Sequence, residues 1–164
     1  MHSREPGGDR TACYSLPKGM PTDPVPPADS EPAFVFYDGH CALCHGTVKF
    51  VLKHDRTEPA FRFAPLQGPT FRVRVPEGAR STSPDSIIVL TADGALLTRS
   101  EAVVYILAQL GGIWKILGGA MRTIPRPFRD AAYDFVARVR YRVFGRRSEL
   151  CPVVPPSLRS RFDP

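Results

Sequence analysis

The chain has 164 residues, an apolar fraction of 43% and a formal charge of +6. That length suits one domain of ordinary size with tails, and that apolar content supplies a core without help from a disulfide scaffold. Its four cysteines (Cys13, Cys41, Cys44 and Cys151) are too few and too unevenly spaced for such a scaffold, and no apolar run approaches the length of a membrane span.

Residues 1–32 read as a disordered leader, with seven prolines and three glycines and few large apolar side chains to offset the entropy of ordering. Ala33 to Tyr37 is a short apolar run of β-formers, closed by Asp38-Gly39, and predicts a buried strand. A helix follows in CALCHGTVKFVLKHD, where Cys44, Val48, Val51 and Leu52 share one face. AFRFAPLQ predicts a second strand, stopped by Pro65. The Arg-, Pro-, Gly- and Ser-rich residues 68–83 read as a long surface loop. DSIIVLTADGALLTRS is a hairpin, with strands Ile87–Leu90 and Ala95–Thr98 around the turn Ala92-Asp93-Gly94. Ser100 is the natural N-cap of the next helix, with Glu101 in its first turn and a stop at Gly111-Gly112.

Beyond that point the chain is predicted helical. GGIWKILGGAMR is a short apolar helix or turn, and PRPFRDAAYDFVARVRYRVFG a longer helix from Pro127 to Gly145. Its buried stripe is expected to be Phe128, Ala132, Phe135, Val136, Val139 and Val143, with Asp130, Asp134, Arg138 and Arg142 pairing at i+4 on another face. The order of elements gives an α/β protein, a thioredoxin-like β-α-β-β-β-α core with a mixed sheet over residues 33–111. A helical extension follows at 112–152 and a tail at 153–164. The first two strands are expected to be parallel neighbours across a right-handed crossover.

The chemistry gathers in FYDGHCALCHG. Cys41, Cys44 and His45 spell both a C-x-x-C redox pair and the C-x-x-C-H pattern that anchors a c-type haem. The opening MHSREPGGDR lacks the apolar segment of a secretory signal, so a cytoplasmic, reducing setting is expected, which disfavours haem attachment. Zinc is the stronger rival: Cys41, Cys44, Cys151 and a histidine would make an ordinary four-ligand site and a binding module without redox catalysis. Against it, only half of a usual zinc motif is present.

Placement favours redox chemistry. Cys41 falls at the N-terminus of a helix, where unpaired N–H groups and the dipole favour a thiolate, with Cys44 one turn behind it. Cys41 is expected to be exposed and to attack, Cys44 to be half-hidden and to resolve. Asp38 is either a proton relay for Cys44 or the acceptor of an Asx turn with Gly39. His40 beside the nucleophile is a candidate for tuning it, whereas His45 and His54 are expected on the helix surface. Cys151 is open between a third redox thiol and a buried residue.

These stretches together resemble the DCC thiol–disulfide oxidoreductase family, named for Asp-x-x-Cys-x-x-Cys, here Asp38, Cys41 and Cys44. FYDGHCALC, FAPLQ, DSIIVL, TRSEAVVYIL and IPRPFRDAAYDFVARVRYRVFG followed by Cys151 carry the resemblance over roughly residues 33–152. It implies a thioredoxin-like fold and disulfide oxidoreductase activity; dithiol–disulfide exchange of this kind is expected to need no bound cofactor. The resemblance names no substrate; the expected partners are a protein or low-molecular-weight disulfide or dithiol substrate and a thiol reductant. Ser100, Tyr133 and Arg140 lie in the matching stretches, with capping and packing as their expected roles. Thioredoxins carry a cis-proline facing the cysteines; here the corresponding place is Ser83-Pro84. The last third, with ten arginines against four acids from Arg122 onward, has the charge of a nucleic-acid or membrane-surface binder. No DNA-binding signature accompanies it, so neither nucleic acid nor an integral membrane segment is expected.

Overall fold

The computed structural model describes residues 32–55, 60–81, 87–146 and 155–164. The leader with Cys13, the Ser83-Pro84 bond and Cys151 lie outside the described residues. Strand β1 (Ala33–Tyr37) leads into helix α1 (Ala42–His54), and β2 (Phe61–Pro65) returns parallel to β1 with Val35 opposite Phe63. The hairpin β3 (Ile88–Leu90) and β4 (Leu96–Thr98) joins the other side of β1, giving a mixed sheet of order β2-β1-β3-β4. This is the α/β, thioredoxin-like arrangement expected from the sequence.

All of β1 is buried because the sheet is covered on both faces. Val35 and Tyr37 point with Phe61 and Phe63 toward Val48 and Val51 of α1 and toward Ala102 and Ile106 of α4 (Arg99–Leu110). Phe34 and Phe36 point the other way, and the region read as a loop provides their cover. There the chain forms two short helices, α2 (Pro69–Arg74) and α3 (Glu77–Ser81), and α2 brings Phe71 edge-on to Phe36 at 4.9 Å. Phe71 and Val75, one turn apart, face inward, while Arg72, Val73 and Arg74 face water. Two inward residues amid arginines and prolines leave too faint a periodicity to read.

Each hairpin strand is one residue shorter at its start than expected. Ile87 gives its backbone N–H to the Tyr133 hydroxyl at 3.2 Å rather than to a strand partner. Helix α4 also departs from expectation at its start. Thr98 occupies the N-cap without a side-chain bond, and Ser100 turns inside the helix to the Asp130 carboxylate, which accepts from both its hydroxyl and its backbone N–H. The cap is therefore supplied by another helix.

Helix α5 (Gly112–Thr123) packs against α4 where Gly118 approaches the Leu107 side chain; a Cβ there would lie 3.1 Å from that of Leu107. Helix α6 (Arg126–Phe144) lies across α4 and α1 with its faces reversed relative to the sequence expectation. Phe128, Phe135 and Val143 are 71%, 62% and 64% exposed, while Arg140 is buried. The inward face is polar because its contacts are polar. Asp130 meets Ser100, Arg129 meets Glu101 at 2.7 Å, Tyr133 meets Ile87, and Arg140 reaches β1's end. Nor do the acids of α6 pair at i+4 with Arg138 and Arg142, since Asp134 meets Arg99 and Asp130 meets Arg126.

Residues 155–164 run beside β2. Phe162 stacks on Phe63, Asp163 receives a two-pronged bond from Arg62 at 2.6 Å, and Arg161 reaches Asp55 and the Phe61 carbonyl.

Candidate functional site

The site forms where β1 ends and α1 begins. Cys41 is the N-cap residue of α1, with extended backbone (φ −95°, ψ 116°), and its sulfur accepts the backbone N–H of Cys44 at 3.4 Å. A cysteine thus does the work usually given to Ser, Thr or Asp, and a thiolate does it better than a thiol because the orphan N–H groups favour negative charge. The Cys44 thiol also favours the thiolate form of Cys41, acting as a donor toward that sulfur. That interaction leads the causes that bring Cys41 from 9.0 down to about 6. The Cys44 N–H and the positive Arg140 add to it, against opposition from burial and from Asp38. Cys44 moves the other way: giving its proton to Cys41, being buried and facing a developing thiolate all hold it protonated. One sulfur is ready to ionise and the other is not.

Asp38 is 2% exposed and fully engaged. Its Oδ1 accepts from the His40 backbone N–H at 3.0 Å, which is an Asx turn, and from Gln67 Nε2 at 3.2 Å. Its Oδ2 accepts from the Tyr141 hydroxyl and from Arg140 Nη2 at 3.3 Å. Burial alone would raise this carboxyl, but the bonds from Tyr141, His40, Arg140 and Gln67 together hold it below its ordinary value. Tyr141 is shifted upward by burial and by its bond to the carboxylate, so it keeps its proton. Arg140 also donates to the Ala137 carbonyl at 2.7 Å and lies over the Tyr141 ring.

The expected residues converge in part. Cys41, Cys44 and Asp38 come together, and His40 lies beside them with its side chain exposed. Cys41 itself is not exposed as expected: its relative exposure is 0%, within the core cluster, and the chain leaving α6 pairs with its backbone through a bridge between Cys41 and Arg146. His45 is not on the surface either. It is buried, and its Nε2–H donates to the Gly39 carbonyl at 2.7 Å, bracing the loop that carries Asp38. For zinc, no group of three potential ligands gathers among the described residues, and His45 has its ring nitrogen turned onto a carbonyl.

Arg140, Tyr141 and Gln67 belong to the site although the sequence reading gave Arg140 only a packing role and the others none. A signal existed. Tyr133, Ala137, Arg140 and Tyr141 are spaced i, i+4, i+7 and i+8 on α6, a second stripe hidden behind the stronger apolar one.

The family model for DCC1-like thiol-disulfide oxidoreductases matches residues 35–146, from β1 through the bridge at Arg146. The chain is 32% identical over 130 residues to the uncharacterized protein YuxK of Bacillus subtilis, covering 79% of this chain and 93% of that protein. It is 35% identical over 123 residues to a chloroplastic DCC family protein of Arabidopsis thaliana, covering 75% of this chain and 70% of that one. No solved structure matches at a significant level. With its cysteine pair at the head of α1 and a family match that runs through the residues enclosing that pair, the chain belongs to the DCC1-like thiol-disulfide oxidoreductase family.

Proposed function

We propose that this protein exchanges a Cys41–Cys44 dithiol for a disulfide on a protein or small-molecule substrate. The observation that carries this reading is the geometry of the pair: Cys41 caps α1 and accepts the Cys44 N–H at 3.4 Å, which favours its thiolate, while Cys44 lies buried behind it and is held protonated. At neutral pH the Cys41 thiolate attacks one sulfur of the substrate disulfide. A bond forms between Cys41 and that sulfur, the substrate S–S bond breaks, and the other substrate half leaves as a thiolate. Cys44 then loses its proton and attacks the Cys41 sulfur, and the second substrate thiolate departs with the proton available to it. The substrate disulfide has gained two electrons and the pair has lost two. A thiol reductant returns them in a cytoplasmic, reducing setting.

In this reading Asp38 is a positioning residue rather than the general base. Four donors occupy its two oxygens, and a carboxylate stabilised below its ordinary value is a poor proton acceptor. It anchors Arg140, whose charge favours the Cys41 thiolate. His40, exposed at the mouth, faces the approaching substrate. Attack requires the cover over Cys41 to open, since the residue has no exposure in this structure.

Trapping tests the assignment. Incubated with bis(2-hydroxyethyl) disulfide, Cys44→Ser is expected to accumulate one mercaptoethanol adduct on Cys41, read by intact mass. Cys41→Ser is expected to accumulate none. Equal adducts on both variants would contradict the division of labour.

A further inference from the structure

Among the described residues, the exposed large apolar side chains are concentrated. All but Val73 fall between residues 113 and 144, on α5, on α6 and at Ile124 between them. Ile113, Ile116 and Leu117 follow one another along α5, and Phe128, Phe135 and Val143 along α6. Neither stripe is needed to hold its helix. Helix α6 is fastened by its polar inner face, and α5 by the close approach of Gly118 to Leu107. Polar residues could therefore fill the outer positions without loss to the fold, yet these are aromatic and branched. A patch of this kind marks a surface that something covers.

Charge identifies the occupant. Between Glu101 and Asp130 the sequence contains no acid, while Lys115 and Arg122 are exposed on α5. On α6, Arg138 and Arg142 border the apolar stripe on one side. Asp130 and Asp134 lie away from it, occupied by Ser100, Arg126 and Arg99. Two copies joined through this face would bring arginine against arginine, with no carboxylate of the described residues bordering the apolar stripe. A bilayer with anionic headgroups meets both features at once: acyl chains take the apolar stripe, and headgroups take the cations that snorkel from its edge. No helix among the described residues is long and apolar enough to cross.

We propose that α5 and α6 form a basic, amphipathic surface that docks the protein in the plane of an anionic lipid bilayer. The test is co-sedimentation of the full reduced chain with vesicles of phosphatidylcholine alone, or of equimolar phosphatidylcholine and phosphatidylglycerol. Binding is expected to be at least about tenfold tighter to the anionic vesicles, to fall with added salt, and to weaken about fivefold with Arg142→Gln. Ile116→Asp and Phe128→Asp are each expected to abolish it while leaving far-ultraviolet circular dichroism and thiol content unchanged. Absence of binding to anionic vesicles, or binding indifferent to those substitutions, would overturn the proposal. So would a dimer in solution that Phe135→Asp dissociates in a chain that ignores vesicles; that result would assign the face to a second copy.

Discussion

Cys41 sits between two opposite charges, and the two neighbours are separable by experiment. Arg140 stabilises its thiolate and Asp38 opposes it, so Arg140→Gln is expected to raise the Cys41 pKa and Asp38→Asn to lower it. The pH profile of thiol alkylation reads both shifts. Breaking the buried Arg140–Asp38 pair from either side should also destabilise the fold by about 3–5 kcal/mol, which makes Arg140→Lys the useful control: charge kept, fork lost. The depressed Cys41 has a second consequence. A group whose folded pKa lies below its unfolded one stabilises the fold above the unfolded value, and that contribution is lost as pH falls through the folded value. Reduced wild type should therefore gain stability over Cys41→Ser as pH rises from about 6 toward 9 and lose that advantage below about 6, as urea melts would show. Above the ordinary thiol range Cys44, held protonated, works the other way. The placement of Asp38, Cys41 and Cys44 was legible because strand, turn and helix are written in adjacent residues. Arg140 was not, since its partner is 102 positions away and nothing local announces the pair. His45 was missed for the reverse reason: a histidine on a helix looks like surface until the preceding loop folds back over it.

At the scale of elements, the strands and the longer helices were readable from periodicity, and the errors share one cause. Helix α6 shows an apolar stripe, and hydrophobicity alone assigns that stripe to the core. In the folded chain α6 covers polar groups at the end of β1 and the start of α4, whose burial demands charged and hydroxylated partners, and the apolar side is left outward. The same limit hid α2. Its inward content is Phe71, with Val75 closing the turn, and the arginines around it dominate the local composition. That helix nevertheless closes the second face of the sheet. Phe71→Ala is expected to cost about 3–5 kcal/mol in chemical denaturation, where a true surface loop would give a change near zero.

For the whole molecule, both ends of the described chain bear on the sheet that carries the site. The C-terminal residues lie beside β2, and Gly68 leaves them room: a Cβ there would stand 2.7 Å from the Pro164 carbonyl carbon. Gly68→Ala is therefore expected to release that segment, seen as faster amide exchange at Asp163, whose N–H is bonded to the Phe63 carbonyl at 2.8 Å. Unchanged exchange there would contradict the packing. Helix α6 fastens onto α4 and reaches Asp38, and the chain leaving it pairs with Cys41, so the helical extension is part of the site rather than an appendage to it. All of this rests on the two sulfurs acting as one redox couple. Intact mass and peptide mapping of the protein, poised first with dithiothreitol and then with a disulfide oxidant, read that directly. A loss of two hydrogens, mapped to a Cys41–Cys44 bond and reversed by dithiothreitol, is the expected result. Two thiols that persist under oxidant, or a bond that joins either of them to another cysteine instead, would contradict it.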